Sequence, residues 1–118
     1  MKQNIIKDKS ILFAVEIVRY CQLLIQNKEY VISGQLKKSG TSIGAQIREA
    51  EHAQSTADFI HKMSIAQKEA NETIYWLEIL EIVEKVEKER IENLNKSVIE
   101  LLKIITSIIK SCKQSKNN

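Results

Sequence analysis

The chain has 118 residues, 43% of them apolar, with no proline, three glycines and a formal net charge of +3. That apolar share suits one folded domain with its own core and is too high for a disordered segment. Hairpin-rich sheets need turn residues that this chain lacks, and so small a positive charge does not by itself imply nucleic acid.

The first helix is expected over about residues 10–27, with Ser10 as its N-cap. Ala14, Ile17, Cys21 and Leu24 recur at spacings of three and four, and Ile11, Val18 and Ile25 widen the stripe. Asn27 is expected to take the left-handed position that closes this helix. The second helix is expected over about 31–52, with a thinner apolar face made by Ile32, Leu36, Ile43, Ile47 and Ala50. Its middle carries Gly40 and Gly44, four residues apart on one face. A glycine in a helix interior costs about 1 kcal/mol relative to alanine, so a close neighbour must fill the space, and Trp76 is a candidate for it.

Ser55-Thr56-Ala57-Asp58 has the form of a capping box opening a third helix over about 56–86. Phe59, Met63, Ala66, Ala70, Thr73, Leu77 and Leu80 form its ladder; Ile91, Leu94, Val98, Leu101, Ile105, Ile108 and Cys112 form that of a fourth helix, over about 89–113. The boundary near Val86-Glu87 has no glycine or proline and follows from length and charge alone. Residues 1–9 and 114–118 are expected to be polar tails. Short connections between such helices predict an all-α fold, an antiparallel up-down-up-down four-helix bundle in a single domain.

Charge is unevenly distributed. Residues 1–62 carry +3, residues 63–92 carry −4 and residues 93–118 carry +4, a pattern that suits pairing within the bundle, between subunits, or plain solvation. Cys21 and Cys112 make neither a disulfide framework nor a metal knuckle, and fit reduced thiols in the cytoplasm. The N-terminal segment lacks the apolar core of a signal peptide, and no run of apolar residues is long enough to span a bilayer.

Motifs for chemistry are sparse. Glu49 and His52 stand in a Glu-x-x-His arrangement, but the second copy needed for a di-metal bundle is missing, so neither a metal nor another cofactor is expected. No catalytic residue is assigned, because neither cysteine has a histidine near it in sequence and Gly40 to Gly44 lies within a helix. Glu69, Glu72, Tyr75 and Trp76 make a polar-aromatic stretch that suits a buried network or a subunit interface, Tyr and Trp being favoured at interfaces. Gln46, Glu69 and Glu72 are candidate buried polar groups; Gly40, Gly44, Tyr75 and Trp76 are candidate packing or interface residues. Lys37, Lys38, Lys103 and Lys110 are the candidate nucleic-acid contacts, without the interleaved aromatics of a single-strand binder.

The run from Gln35 through Gly40, Thr41, Ser42, Ile43 and Gly44 to Ala50, with Ala57-Asp58-Phe59-Ile60-His61 and Lys68-Glu69-Ala70-Asn71-Glu72 through Trp76 and Leu77, resembles the small bacterial four-helix-bundle family named for 23S rRNA intervening sequences. Gln46 departs mildly from the asparagine common there. The resemblance implies an up-down bundle assembled as a homo-oligomer, often a homopentameric ring. A related branch, the accessory proteins of diversity-generating retroelements, forms a basic barrel that binds nucleic acid and a reverse transcriptase; a net charge of +3 is modest beside it. The function implied is a non-enzymatic oligomeric scaffold with weak, sequence-tolerant RNA contact, the alternative being a protein–protein interaction module.

Overall fold

Ile6 is only 1% exposed, and the chain is already helical there. The computed structural model describes residues 2–84 and 87–117. Four helices account for nearly all of them: α1 (Lys2–Gln26), α2 (Val31–Glu51), α3 (Thr56–Val83) and α4 (Lys88–Asn117). Two ends differ from the sequence expectation. Residues 2–9 and 114–117 continue α1 and α4 rather than forming tails. The apolar pair Ile5-Ile6 explains the first, since burying Ile6 extends the helix through a segment whose lysines disguise it. Ser10 accordingly caps nothing: its hydroxyl donates to the Lys7 carbonyl inside α1 (2.9 Å) and is buried. The expected end of the third helix at residue 86 lies outside the described residues.

The connections have clear local causes. At the end of α1 it is Lys28, not Asn27, that is left-handed (φ 66°). The Glu29 N–H donates to Leu24 O (2.8 Å) and the Lys28 N–H to Ile25 O (2.9 Å), the paired bonds of a Schellman motif that satisfy the last carbonyls. Asn27 instead sends its side-chain amide back to Leu23 O (2.9 Å). The Glu29 carboxylate then accepts from Ile32 N–H (2.9 Å), satisfying an otherwise orphaned donor at the start of α2. Ser55 caps α3 by accepting from Asp58 N–H (3.0 Å), while Asp58 reaches back to Gln54 N–H (3.2 Å), one residue beyond the usual target.

Each helix packs on its sequence neighbours, and α1 packs on α4, closing a four-sided bundle of 51 × 20 × 20 Å; among the described residues the backbones of the diagonal pairs, α1 with α3 and α2 with α4, do not come close. Side-chain pairs fix the directions. Lys7, early in α1, pairs with Glu51 at the end of α2 (3.1 Å), and Glu49 pairs with Lys62 early in α3 (3.2 Å). Gln67 donates to Thr106 near the end of α4 (2.9 Å). Consecutive helices therefore run antiparallel. One continuous core fills the interior, from Ile6 and Phe13 through Leu36, Ile43, Leu77 and Leu80 to Leu101 and Ile105.

At the α1–α2 seam the glycines of α2 let α1 come close. Ile17 lies over Gly40, and Ser10 lies over Gly44, where an added Cβ would sit 3.3 Å from its Oγ. The residue expected there, Trp76, is instead on α3, half-buried against the core, with its indole N–H reaching Glu72 (3.4 Å). Burying a whole isoleucine contributes about 1.5–3 kcal/mol, more than the roughly 1 kcal/mol of helix propensity lost at one glycine. Cys21 completes the seam, its thiol 3.3 Å from Ser33 O, and burial pushes that thiol up to about 11. Across α2–α3, Thr73 donates to Ser39 Oγ (2.9 Å), both side chains buried. Buried hydroxyls at this seam satisfy each other rather than seeking water.

Candidate nucleic-acid interface

On α4, Lys96, Lys103 and Lys110 recur every seven residues, so they stand in a row at intervals of roughly 10 Å. All three are exposed, as is Lys113 beside them. None takes part in an ion pair among the described residues. Glu92 precedes the row, and Glu100, which stands between Lys96 and Lys103, is held by Lys9 of α1 (2.7 Å). The result is a basic stripe along α4 from Lys96 to Lys113.

Lys37 and Lys38 are exposed on α2, diagonally opposite, and share no face with Lys103 and Lys110. Within one protomer the two pairs therefore stand apart, α2 and α4 being the helices that the up-down order separates, so a surface that joins all four lysines needs several copies in an assembly. Lys38 also lies within the field of Glu69 on α3, so part of its charge is answered locally. Lys96 was the residue missed by sequence reading. The seven-residue repeat it shares with Lys103 and Lys110 was the available signal.

The other predicted residues disperse. Gln46 is half-buried, with its amide oxygen enclosed and without a donor. Glu69 is half-buried, and burial first, then Glu72, raises its carboxyl above the usual range against Lys68 and Lys38. Glu72 is exposed rather than buried, and its carboxylate accepts from the Trp76 indole N–H (3.4 Å). Tyr75 is 55% exposed and meets Trp76 edge-on, ring centroids 5.1 Å apart. Glu49 and His52 share an open depression with Arg48, Asp58 and Lys62, where Glu49 is taken by Lys62. Among the described residues no three His, Cys, Asp or Glu side chains are grouped to hold a metal ion, and no helix is long and apolar enough to cross a membrane.

The fold and this surface define a small all-α bundle protein with a basic outer stripe. The chain belongs to the 23S rRNA-intervening sequence protein family, whose model matches residues 2–107. Among solved structures it is similar to a protein of unknown function from the S23 ribosomal protein family of Bacteroides thetaiotaomicron VPI-5482, at 55% identity and a TM-score of 0.90. That match covers 93% of this chain and 99% of the other. No curated protein matches. The family and the neighbour point to no catalytic family.

Proposed function

We propose that this protein is a non-enzymatic, homo-oligomeric helical scaffold that contacts RNA weakly and without sequence preference, acting in the cytoplasm, where Cys21 and Cys112 stay reduced. The single observation that supports it best is the row of Lys96, Lys103 and Lys110 on one helix face, none of them in an ion pair among the described residues. Lysines so placed meet phosphate oxygens as point charges and read no bases. One protomer offers few such contacts; several copies in a ring, a pentamer by family resemblance, multiply them through effective concentration.

The test is fluorescence anisotropy of a labelled single-stranded RNA at low and near-physiological salt. The reading expects binding that falls steeply as salt rises, because neutralised phosphates release their counterions. Absence of binding at low salt would instead favour a protein–protein interaction module, a reading supported by the exposed apolar side chains on α1 and α3.

A further inference from the structure

Among the described residues, exposed apolar side chains gather mostly on two helices that stand diagonally across the bundle. On α1, Ile11, Leu12, Val15 and Ile25 are 40–68% exposed. On α3, Tyr75 is 55% and Ile82 82% exposed. A helix apolar on both faces is one that something covers on both faces, yet inside the protomer α1 and α3 each bury only one. By contrast α2 and α4 turn mainly polar side chains outward, among them Lys38 and the α4 lysines, with Val31 at the start of α2 and Ile99 on α4 as the exposed apolar exceptions. The two apolar faces thus lie on opposite sides of the bundle, separated by two polar ones.

We infer that the outer face of α1 docks on the outer face of α3 in a second copy of this chain, head to tail, and that repetition of this one contact builds the assembly. The inference rests on the homo-oligomeric reading above and adds the surfaces. A two-fold pairing of α1 with α1 would leave the α3 face bare, and the reverse pairing would leave α1 bare. A heterologous contact covers both faces with one kind of interface, where isologous pairing would need two; such contacts close into rings when the rotation permits and run on as filaments when it does not.

The charges agree with this pairing. Ile17 lies against Gly40, and neighbouring Ser39 bonds Thr73, so Ile17 and Thr73 stand at about one height on helices that run parallel. In a ring whose axis follows the bundle, α1 meets the neighbour's α3 at that same height. Two residues further along each helix, Arg19 reaches the level of Tyr75, with Glu78 a turn beyond. Towards the other end, Asp8 is level with Ser64, about 6 Å along the helix from Lys68. Both encounters join opposite charges. Arg19 has only a loose, exposed partner in Glu16 (3.4 Å), and neither Asp8 nor Glu78 has an ion pair among the described residues. The α4 stripes of all copies then face the same side of the ring.

Mass measurement by analytical ultracentrifugation tests this with Val15→Glu and Tyr75→Glu, both at exposed positions outside the core. The wild type is expected to sediment as an assembly larger than a dimer, and each variant as a folded monomer by circular dichroism. An equimolar mixture of the two variants is expected to form a dimer and nothing larger, since one intact α1 face meets one intact α3 face. Arg19→Glu is expected to weaken assembly at least tenfold, and adding Glu78→Arg in the same chain to restore it; this pair decides the matter should either apolar variant misfold. A monomeric wild type would overturn both the oligomeric reading and the inference. An assembled wild type whose variants keep their mass, or variants that stay monomeric when mixed, would overturn the inference alone.

Discussion

Ile17 of α1 lies over Gly40 of α2 so closely that a Cβ at position 40 would stand 3.0 Å from both of its γ carbons. Ile17 is fully buried and branched at Cβ, so its rotamer has little freedom to yield. The approach of α1 to α2 is therefore set by the missing side chain, and Gly44 opposite Ser10 repeats the relationship one turn on.

This gives opposite expectations for glycines in one helix. Gly40→Ala is expected to destabilise by about 1–3 kcal/mol, the overpacking outweighing the gain in helix propensity, and Gly44→Leu by a similar amount. Gly34 has nothing within 4 Å of its would-be Cβ and no left-handed backbone, so Gly34→Ala is expected to stabilise by about 0.5–1 kcal/mol. Urea denaturation of the variants checks the sign; a Gly40→Ala midpoint at or above wild type would refute the close-packing account.

Glu69 makes stability depend on pH. Its folded carboxyl is raised above the ordinary glutamate range by burial and by Glu72, so the folded state holds the proton more tightly than the unfolded chain. Stability from this group is greatest below the unfolded value, declines as pH climbs through the raised one, and stays reduced above it. Glu69→Gln should therefore be more stable than wild type at neutral pH and indistinguishable from it below the glutamate range. Chemical denaturation of both proteins at acidic and neutral pH measures the difference, and equal midpoints at neutral pH would contradict it.

The thiols should separate kinetically. Cys21 is 1% exposed, within reach of Ser33 O, and its thiol is pushed up to about 11, so almost no thiolate forms at neutral pH. Cys112 is half-buried near the end of α4, lining a shallow depression with Thr56, Ser111 and Ser115. With a thiol-specific reagent on the native protein, one equivalent is expected to react, at Cys112, and the second only on unfolding. Peptide mapping of the label identifies the site; rapid native labelling at Cys21 would show that the α1–α2 seam opens.

For RNA, the proposed contacts are the α4 lysines, and the α2 lysines stand across the diagonal from them. The Lys103→Glu, Lys110→Glu double variant should abolish binding at near-physiological salt, and Lys96→Gln alone should lower the salt dependence by about one phosphate contact. Lys37→Glu with Lys38→Glu, on the diagonal helix, should weaken binding much less. Anisotropy titrations over a salt series compare them, and greater loss from the α2 pair would place the interface on the opposite face of the bundle.

The ladders from Met63 to Leu80 and from Ile91 to Ile108 were legible in the sequence, and their members are buried in the fold. A spacing of three and four marks the inward face of a helix whatever it packs against. The same spacing cannot name the neighbour, and for that reason Gly40 and Gly44 pointed to Trp76 when α1 was the element that filled them. Nor could it distinguish a face merely solvated from one awaiting a partner: the wide stripe of Ile11, Val18 and Ile25 looked like ordinary core.

What the amino-acid sequence determined by itself was the helical class, the inward faces of α3 and α4, the cap at Ser55 and the membership of a family, all of which depend on residues near one another in the chain. The tertiary structure alone decided that α1 begins at Lys2, that Lys37 and Lys38 stand across a diagonal from Lys103 and Lys110, and that Ile17 rests on Gly40. Those facts depend on which helix lies beside which. Periodicity is a property of one helix, whereas adjacency is settled only when four of them compete to bury their faces in the same core.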